Sequence, residues 1–398
     1  MTAQSSVTSD NLAVIQSESA LPEKTSPDGS VALPLTLAPP ADVSTSTKSK
    51  KISNWVYDRT GLNALQYKVP AHANTIWYIL GGITFMGIVV LAVTGIWLAQ
   101  YYNPSPAAAR ESVIYIQDEA PLGDIIRGIH VWTAYIVIIT AVLHMIRIVV
   151  TAAYKIPREV NWLVGIALLA VLLFVGVFTG TILRWDQEAY EAMTHNMELT
   201  KMLGAVGGFF SDGFTNSVPM LPRLYGVHVS IMPLILVILL ISHFFLIKHH
   251  GISPTASQFD NGEAPLGKLP VEKETGRYSR HALMMVGYGM ALLGVAGTLA
   301  VLFPQAIGAS PDPSMEITKP PFVFFWLYPF ENWFGVPGIL YAGAGLFGLL
   351  TILPFIDHTP LRHLRRRPVI MVLGLVLLVA VVVLSIMTAI QPVTRHLG

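Results

Sequence analysis

The sequence predicts an all-α, polytopic membrane protein with seven transmembrane helices, and three observations support that prediction. Only 12% of the 398 residues are charged, 53% are hydrophobic, and the apolar residues gather in seven long stretches. A soluble domain usually carries about 25% charged residues. Each stretch is long enough to cross a hydrocarbon layer of roughly 30 Å. The lipid bilayer therefore organises this chain, and we expect an integral membrane protein.

The seven stretches set the order of the predicted helices. They cover about 76–101, 125–153, 162–183, 225–248, 281–306, 337–357 and 368–390. A long loop follows the third stretch, at about 184–224, and another follows the fifth, at about 307–336. Because two spans separate these loops, we expect both on the same side of the membrane.

The chain divides into four segments by composition. Residues 1–51 are rich in Ser, Thr, Pro and Ala and lack a periodic apolar pattern, which predicts a disordered tail. Residues 52–254 hold the first four stretches, 255–280 form a linker, and 281–398 hold the last three. Lys and Arg concentrate in the short loops on the side of the N-terminus. We therefore expect a bacterial plasma membrane protein whose N-terminus faces the cytoplasm.

Charge and cysteine content exclude several classes of function. The net charge is only +1, so no basic excess points to nucleic acid. The sequence has no cysteine, which excludes disulfides, thiolate metal sites and any cofactor tethered through a thioether. The chain does carry 12 histidines, and their positions are the most informative feature of the sequence.

Four histidines lie inside predicted transmembrane helices. The second helix carries His130 and His144, 14 residues apart, and the fourth carries His228 and His243, 15 apart. Fourteen residues are close to four helical turns, so both rings of a pair leave one helix face, about 21 Å apart along the axis. The second and fourth helices run in the same direction. His130 and His228 therefore share one depth in the membrane, and His144 and His243 share another.

Paired histidines in hydrocarbon indicate a functional site by default. A single histidine in a membrane helix can simply be hydrogen-bonded to a neighbouring backbone or hydroxyl group. That explanation does not account well for four histidines arranged as two pairs, each pair at one depth. A proton relay needs buried carboxylates, which these two helices almost lack. A zinc site needs three or four ligands at one depth. Two ligands at each of two depths favour two bis-histidine heme irons, with the four histidines as iron ligands.

Glycines in the first and third helices follow a similar rhythm. Gly81 and Gly95 are 14 residues apart, and Gly165 and Gly180 are 15 apart. A flat macrocycle between helices needs close backbone approach, which glycine permits. Taken alone, these glycines fit helix packing through small residues, which is common in membranes. Their spacing matches that of the histidines, and this match favours the heme interpretation over helix packing alone.

Several segments resemble the cytochrome b family of quinol–cytochrome c oxidoreductases, and most closely its chloroplast and cyanobacterial form. The resemblance is carried by 69–95, by 126–162 with both histidines of the second helix, by the WDQEAY motif at 185–190, and by 221–253. It is strong over 52–254. From 281 onward the chain more weakly resembles the three-helix partner subunit, fused here into one chain. The implied fold is a four-helix heme-binding bundle followed by three helices.

The resemblance implies the roles of individual residues. His130 and His228 would ligate a low-potential heme b, and His144 and His243 a high-potential one, both held without covalent bonds. Arg127 and Arg147 would pair with heme propionates, although an interfacial cation is the simpler explanation of Arg127 by itself. Residues of the cofactor sites implied in this way also include Gly81, Gly95, Gly165 and Gly180.

The resemblance also implies an activity and partners. Quinol would be oxidised beside the two long loops, sending one electron to a Rieske iron–sulfur protein and on to cytochrome c or a similar acceptor. The other electron would cross the membrane through the hemes and reduce quinone near Lys248, with coupled proton translocation. The family further implies a homodimeric complex embedded in membrane lipids.

Three departures from the family pattern concern the cofactors and the outer quinol pocket. Ile79 stands where the chloroplast-type family has a cysteine, so a covalent third heme is excluded. The usual Pro-Glu-Trp-Tyr motif appears as Pro320–Val323, without its glutamate, and Arg184 replaces the proline before Trp185. One residue is also inserted between Gly165 and Gly180. Carboxylates that would replace the lost glutamate are Glu331, our first choice, and then Glu316, Asp186 and Glu188.

These departures leave alternative functions open. In one alternative, the protein is a subunit of a divergent respiratory complex and still binds the hemes. It would conduct electrons across the membrane, but the two electrons of quinol would not be divided between two routes. A transporter or structural membrane subunit without cofactor is the alternative from a different class.

Overall fold

A computed structural model describes residues 54–61, 66–205, 207–264, 269–270 and 273–396. The predicted tail at 1–51 lies outside the described residues. The chain divides into two compact units after Gly61, and in the first unit residues 54–60 form a short helix. The regular structure of the second unit is mostly helical. In the described part of the chain, seven helices are long and apolar enough to cross a membrane, which confirms the predicted fold class.

The helices are labelled in chain order. They are α1 (Ile76–Leu98), α2 (Ala109–Asp118), α3 (Gly123–Val150), α4 (Glu159–Ile182), α5 (Gln187–Met202), α6 (Met220–His250), α7 (Tyr278–Leu302), α8 (Tyr328–Phe334), α9 (Pro337–Ile356) and α10 (Pro368–Ile390). Helices α2, α5 and α8 are too short to cross the membrane and belong to the connecting segments. Helix α6 begins at Met220, five residues before the start that the sequence predicted. Strand β1 (Lys68–Val69) pairs antiparallel with β2 (Gly276–Arg277).

Six of the spanning helices pack in two groups. Helix α3 packs against α1 and α7, while α4 packs against α6 and α9. The two groups share a core in which Val137 and Ile138 of α3 meet Leu168 and Leu172 of α4. Phe324, from the segment before α8, closes this core at one end. Leu236 of α6 belongs to the same core, so side chains of α3 and α6 share one interior.

Two of these helices contain a π-helical segment. In α4 the segment is Val171–Val177, between Gly165 and Gly180, and in α6 it is Val227–Ile231, which includes His228. A π turn takes one residue more than an α turn. A spacing of 15 residues in α4 and α6 can therefore match a spacing of 14 in α1 and α3. This geometry gives a physical basis for the extra residue noted in the sequence.

The two long loops meet at one end of the bundle, here called the loop-rich end, as their predicted placement on one side requires. It is formed by 183–219 and 303–336. The carboxylate of Glu191 accepts hydrogen bonds from the backbone amides of Ile317, at 2.8 Å, and Thr318, at 3.0 Å. The backbone amide of Gln187 donates to the carbonyl of Ala309 at 2.9 Å. These bonds tie α5 to the segment that precedes α8.

A buried ion network closes the opposite end. Asp357 accepts hydrogen bonds from Lys155 Nζ, at 2.9 Å, and from the Tyr154 hydroxyl, at 2.5 Å. Arg367 Nη1 lies 3.6 Å from the same carboxylate. The side chains of Lys155, Asp357 and Arg367 are 8%, 1% and 0% exposed. This network joins the α3–α4 loop to the α9–α10 loop.

Candidate functional site

The histidine pair nearer the loop-rich end is spaced to hold one metal ion. The ring centres of His130, on α3, and His228, on α6, lie 6.4 Å apart. A metal–imidazole bond of about 2.0–2.1 Å, plus about 1.2 Å from nitrogen to ring centre on each side, gives about 6.4 Å. Two imidazoles at this separation can coordinate one iron from opposite sides. The π segment that includes His228 helps to set its position on α6.

Each of the four predicted glycines lies against one of the four predicted histidines. The pairs are Gly95 with His130, Gly81 with His144, Gly180 with His228, and Gly165 with His243. A Cβ atom added at Gly81 would stand 2.8 Å from the facing imidazole, and one at Gly180 would stand 3.1 Å away. Real Cβ atoms avoid such distances, so these positions exclude any larger residue without displacement of the ring. The rings thus occupy cradles that a side chain would fill.

Hydroxyl groups fix the orientation of two of these imidazoles. Thr94 Oγ1 lies 2.8 Å from His130 Nδ1 and donates its single proton to the Val90 carbonyl at 2.7 Å. The hydroxyl must then accept from Nδ1–H, which leaves the Nε2 lone pair of His130 free to bind a metal. Thr179 repeats this contact with His228 Nδ1, also at 2.8 Å, while donating to its own helix. Both rings are therefore held in the tautomer that a heme ligand needs.

Sequence reasoning missed these threonines, although the sequence contains a signal for them. Thr94 directly precedes Gly95 on α1, and Thr179 directly precedes Gly180 on α4. In each helix, the small residue that admits the ring is next to the hydroxyl that orients it. The repeated Thr-Gly pair would have identified both.

Arg127 is buried near the loop-rich end, and Arg147 is a half-buried neighbour of His144. Arg127 Nη1 donates to Gln117 Oε1 at 2.5 Å and to the Gln305 carbonyl at 2.6 Å. Arg147 Nη2 lies 3.3 Å from His144 Nδ1. Among the described residues, Arg127 Nη2 and Arg147 Nε have no hydrogen-bond partner. A buried donor without a partner is costly, and a carboxylate of a bound cofactor would satisfy it.

The altered quinol motif lies against α3. The ring of Phe322, in Pro320–Val323, is centred 4.6 Å from that of Tyr135. Arg184 and Glu188 interact electrostatically with Tyr135, and Arg184 Nη2 lies 2.7 Å from Glu188 Oε2. Burial raises the pKa of the Glu188 carboxyl, and the neighbouring Arg184 offsets this only in part. A carboxyl with a raised pKa thus lies close to the aromatic segment.

The other predicted catalytic residues lie in different surroundings. Asp186 is fully buried and caps α5, accepting from the backbone amides of Ala189, at 3.1 Å, and Gly308, at 2.9 Å. Glu331 Oε1 lies 2.7 Å from Nε2 of His195, a residue of α5. Lys248 Nζ lies 5.7 Å from the ring centre of Tyr67, at the opposite end of the bundle. Their catalytic roles stay predictions.

The chain is similar to proteins of known family over most of its length. The sequence model described as Cytochrome b/b6/petB matches residues 65–251. A cytochrome b6 from Heliobacterium mobile is 38% identical over 50% of this chain and 98% of its own length. The menaquinol:cytochrome c reductase cytochrome b subunit of Bacillus subtilis is 35% identical over 51% of this chain and 97% of its own.

Two further matches include the C-terminal helices. The cytochrome bc complex cytochrome b subunit of Chlorobaculum thiosulfatiphilum is 30% identical over 356 residues, or 83% of this chain and 79% of its own. A structure of a hyperthermophilic respiratory Complex III aligns with a TM-score of 0.72 and 26% identity, covering 85% of this chain and 92% of the matched one. A match of this length must extend beyond the first four spanning helices.

Seven spanning helices around paired histidines define an integral membrane protein of the electron-transfer class. On the similarity to the Heliobacterium protein, almost all of whose length is matched, the chain belongs to the cytochrome b family. Heme b binding is a property of that family, and the described histidines, glycines and threonines fit such a group.

Proposed function

We propose that this protein is the di-heme cytochrome b subunit of a membrane quinol-oxidising complex. One observation carries the proposal: each of the four predicted ligands, two on α3 and two on α6, faces a glycine on α1 or α4. Such cradles at two depths accommodate two flat cofactors, one at each depth. The 6.4 Å separation of the His130 and His228 rings supports the same conclusion.

The residues of the chain would hold and orient each cofactor. Bound heme supplies a carrier for one electron at a time. His130 and His228 would present Nε2 lone pairs, because Thr94 and Thr179 hold the Nδ1 protons. Arg127 would direct its unpaired Nη2 towards a propionate. The apolar spans around these residues exclude water, which keeps these electrostatic contacts strong.

At the loop-rich end, we assign quinol oxidation to the space beside Tyr135 and Phe322. Of the carboxylates that the sequence offered, Glu188 is the one whose surroundings best suit proton acceptance. Its pKa is raised, and its partner Arg184 stands next to the WDQEAY motif. Glu331, Asp186 and Glu316 remain the alternatives. At the opposite end, quinone reduction near Lys248 would take up protons.

The named relatives support the partners of such a subunit. The Bacillus subtilis relative is named as part of a menaquinol:cytochrome c reductase, and the Chlorobaculum relative as part of a cytochrome bc complex. These names support membership in a multi-subunit complex; the partners we propose, from the family resemblance, are a Rieske iron–sulfur protein, a cytochrome c or similar acceptor, and a second copy of the complex. The N-terminus would face the cytoplasm of a bacterial plasma membrane.

The altered outer pocket supports a second candidate function. Pro321 stands where the family motif has its glutamate, and Arg184 stands where it has proline. A subunit with these changes could conduct electrons across the membrane without dividing them between two routes. Reduction of heme b on addition of an oxidant, blocked by an outer-pocket inhibitor, would favour the first candidate over this conduit.

The heme assignment is tested by substituting single ligands in the purified complex. We expect His130→Ala to lose the heme nearer the loop-rich end and His144→Ala the other, each halving the heme content per chain. Pyridine hemochrome analysis and reduced-minus-oxidised spectra measure this loss. His249→Ala, an exposed histidine at the end of α6, is the matched control. Unchanged heme content in both ligand variants would show that the assignment is wrong.

A further inference from the structure

Segments far apart in the sequence bring two histidines and two carboxylates together at the loop-rich end. His195 comes from α5, Glu331 from α8, and His396 from the C-terminal segment, and one ligand atom of each lies within 4.8 Å of the others. Glu316 Oε1 lies 3.7 Å from His195 Nε2 and 3.5 Å from His396 Nδ1. These four residues, here called the loop cluster, include none of the histidines of α3 and α6.

Oxygen atoms outside the loop cluster fix the tautomers of both neutral histidines. His195 Nδ1 lies 2.7 Å from the Glu191 carbonyl, which can only accept, so Nδ1 carries the proton. His396 Nε2 lies 2.7 Å from Asn332 Oδ1, and the Asn332 amide nitrogen donates instead to Gln391 at 3.4 Å. Each neutral ring therefore turns its lone-pair nitrogen into the cluster. Carbonyl and amide partners of this kind orient metal-binding histidines.

The carboxylates face these lone pairs with little access to water. Glu331 Oε1 lies 2.7 Å from His195 Nε2 and 3.8 Å from His396 Nδ1. The side chains of Glu331 and His396 are only 4% and 6% exposed. Within the described ranges, His396 Nδ1 forms no hydrogen bond of acceptable geometry. Two buried carboxylates that approach the same lone pairs require a positive charge between them.

We propose that the loop cluster binds one divalent transition-metal cation, with Zn²⁺ the best match. Imidazole nitrogen and carboxylate oxygen are both ligands that zinc prefers. Tetrahedral zinc, with bonds of about 2.0–2.2 Å, holds neighbouring ligand atoms about 3.4 Å apart. Three of the four nitrogen–oxygen distances are 3.5, 3.7 and 3.8 Å, and the fourth is 2.7 Å. Of these four distances, only the shortest must widen for metal binding, by less than about 1 Å.

The site would join three parts of the loop-rich end. The C-terminal segment already docks there, since the backbone amide of His396 donates to Glu316 at 2.7 Å and that of Thr394 donates to the Tyr328 hydroxyl at 2.8 Å. A metal ion would add a link from this segment to α5 and α8. The loops that flank the proposed quinol pocket would then be held in one arrangement. The proposal itself depends on the cluster geometry and not on the heme assignment.

The test uses the purified, heme-containing complex. It is treated with EDTA, freed of chelator, and titrated with ZnCl₂, while calorimetry and mass spectrometry measure zinc per chain. We expect one zinc per chain, and at least about a tenfold loss of affinity in His195→Gln and in His396→Gln. Glu331→Gln, which keeps the side-chain shape, should show a similar loss. His358→Gln, an exposed histidine in the α9–α10 loop, is the matched control and should bind zinc normally.

Two further measurements distinguish loss of the metal site from loss of folding. The first is heme content per chain, which checks that each variant is folded. If every variant loses heme, zinc K-edge absorption of the unaltered complex decides, because the proposal requires a nitrogen and oxygen shell with imidazole scattering. Less than one zinc per chain at saturation, normal affinity in both histidine variants, or a shell without imidazole would overturn the proposal. In those cases protons, rather than a metal, balance the two carboxylates.

Discussion

The glycine cradles predict a graded response to the addition of a single methyl group. An added Cβ would lie 2.8 Å from the imidazole at Gly81, 3.1 Å at Gly180, 3.2 Å at Gly95 and 3.9 Å at Gly165. Only the last is an ordinary contact distance. Gly81→Ala must displace its ring or helix by roughly 0.6 Å or more, and overpacking of this kind costs about 1–3 kcal/mol. At 1.4 kcal/mol per factor of ten, heme affinity should fall roughly 5- to 150-fold.

Gly165→Ala is the matched control for Gly81→Ala, because both glycines face the histidine pair farther from the loop-rich end. We expect Gly165→Ala to retain heme almost fully. The measurement is heme retained per chain after challenge with an apo-heme acceptor, followed spectroscopically over time. Gly180→Ala and Gly95→Ala should fall between these extremes. If Gly165→Ala released heme faster than Gly81→Ala, the cradle explanation would be refuted.

Two further predictions concern the two ends of the bundle. Glu188→Gln should lower the rate of quinol oxidation at least about tenfold with heme content unchanged, because it removes a proton acceptor while keeping the side-chain shape. If Glu331→Gln, assayed alongside, lowered this rate more, the assignment of Glu188 would be contradicted. Asp357→Asn should destabilise the protein by roughly 3–5 kcal/mol, because Lys155 and Arg367 are left buried without their counter-charge. Burial would raise the pKa of Asp357, but hydrogen bonds from Thr359, Tyr154 and Lys155 outweigh it and hold the pKa at about 2. The stability contributed by ionised Asp357 is therefore complete above about pH 4 and is lost as the pH falls towards 2. The melting temperature of the wild type should fall over this pH range through loss of this contribution, whereas Asp357→Asn should lack this part of the fall.

The spanning helices and the histidine pairs could be predicted because helical periodicity is a local property of the sequence. His130 and His144 share a helix, so their common face follows from 14 residues at 3.6 per turn. Depth in the bilayer then aligns them with His228 and His243. Gly81 and Gly95 follow the same periodicity in α1, whereas the 15-residue spacing of Gly165 and Gly180 in α4 depends on its π segment. For these residues, the structure needed only to bring neighbouring helices together.

The loop cluster could not be predicted in the same way. His195, Glu331 and His396 are separated by more than 60 residues at each step, and no repeat connects them. Their approach depends on bonds such as those from Glu191 to the backbone of Ile317 and Thr318, which no local pattern signals. The sequence did identify Glu331, but as a candidate proton acceptor. Tertiary contacts between irregular segments decide what this carboxylate touches.

The π segments of α4 and α6 bear on which insertions and deletions this bundle tolerates. Each π segment contains one residue more than regular α-helix would need to span the same distance, while α1 and α3 are regular and contain no such extra residue. Removing one residue from Val171–Val177 would convert the bulge into ordinary α-helix and leave Gly165 and Gly180 facing the same way. The same deletion between Gly81 and Gly95 would swing one glycine through about 100°. Single-residue deletions should therefore be accepted in the π segments and rejected between the glycines of α1 or the histidines of α3.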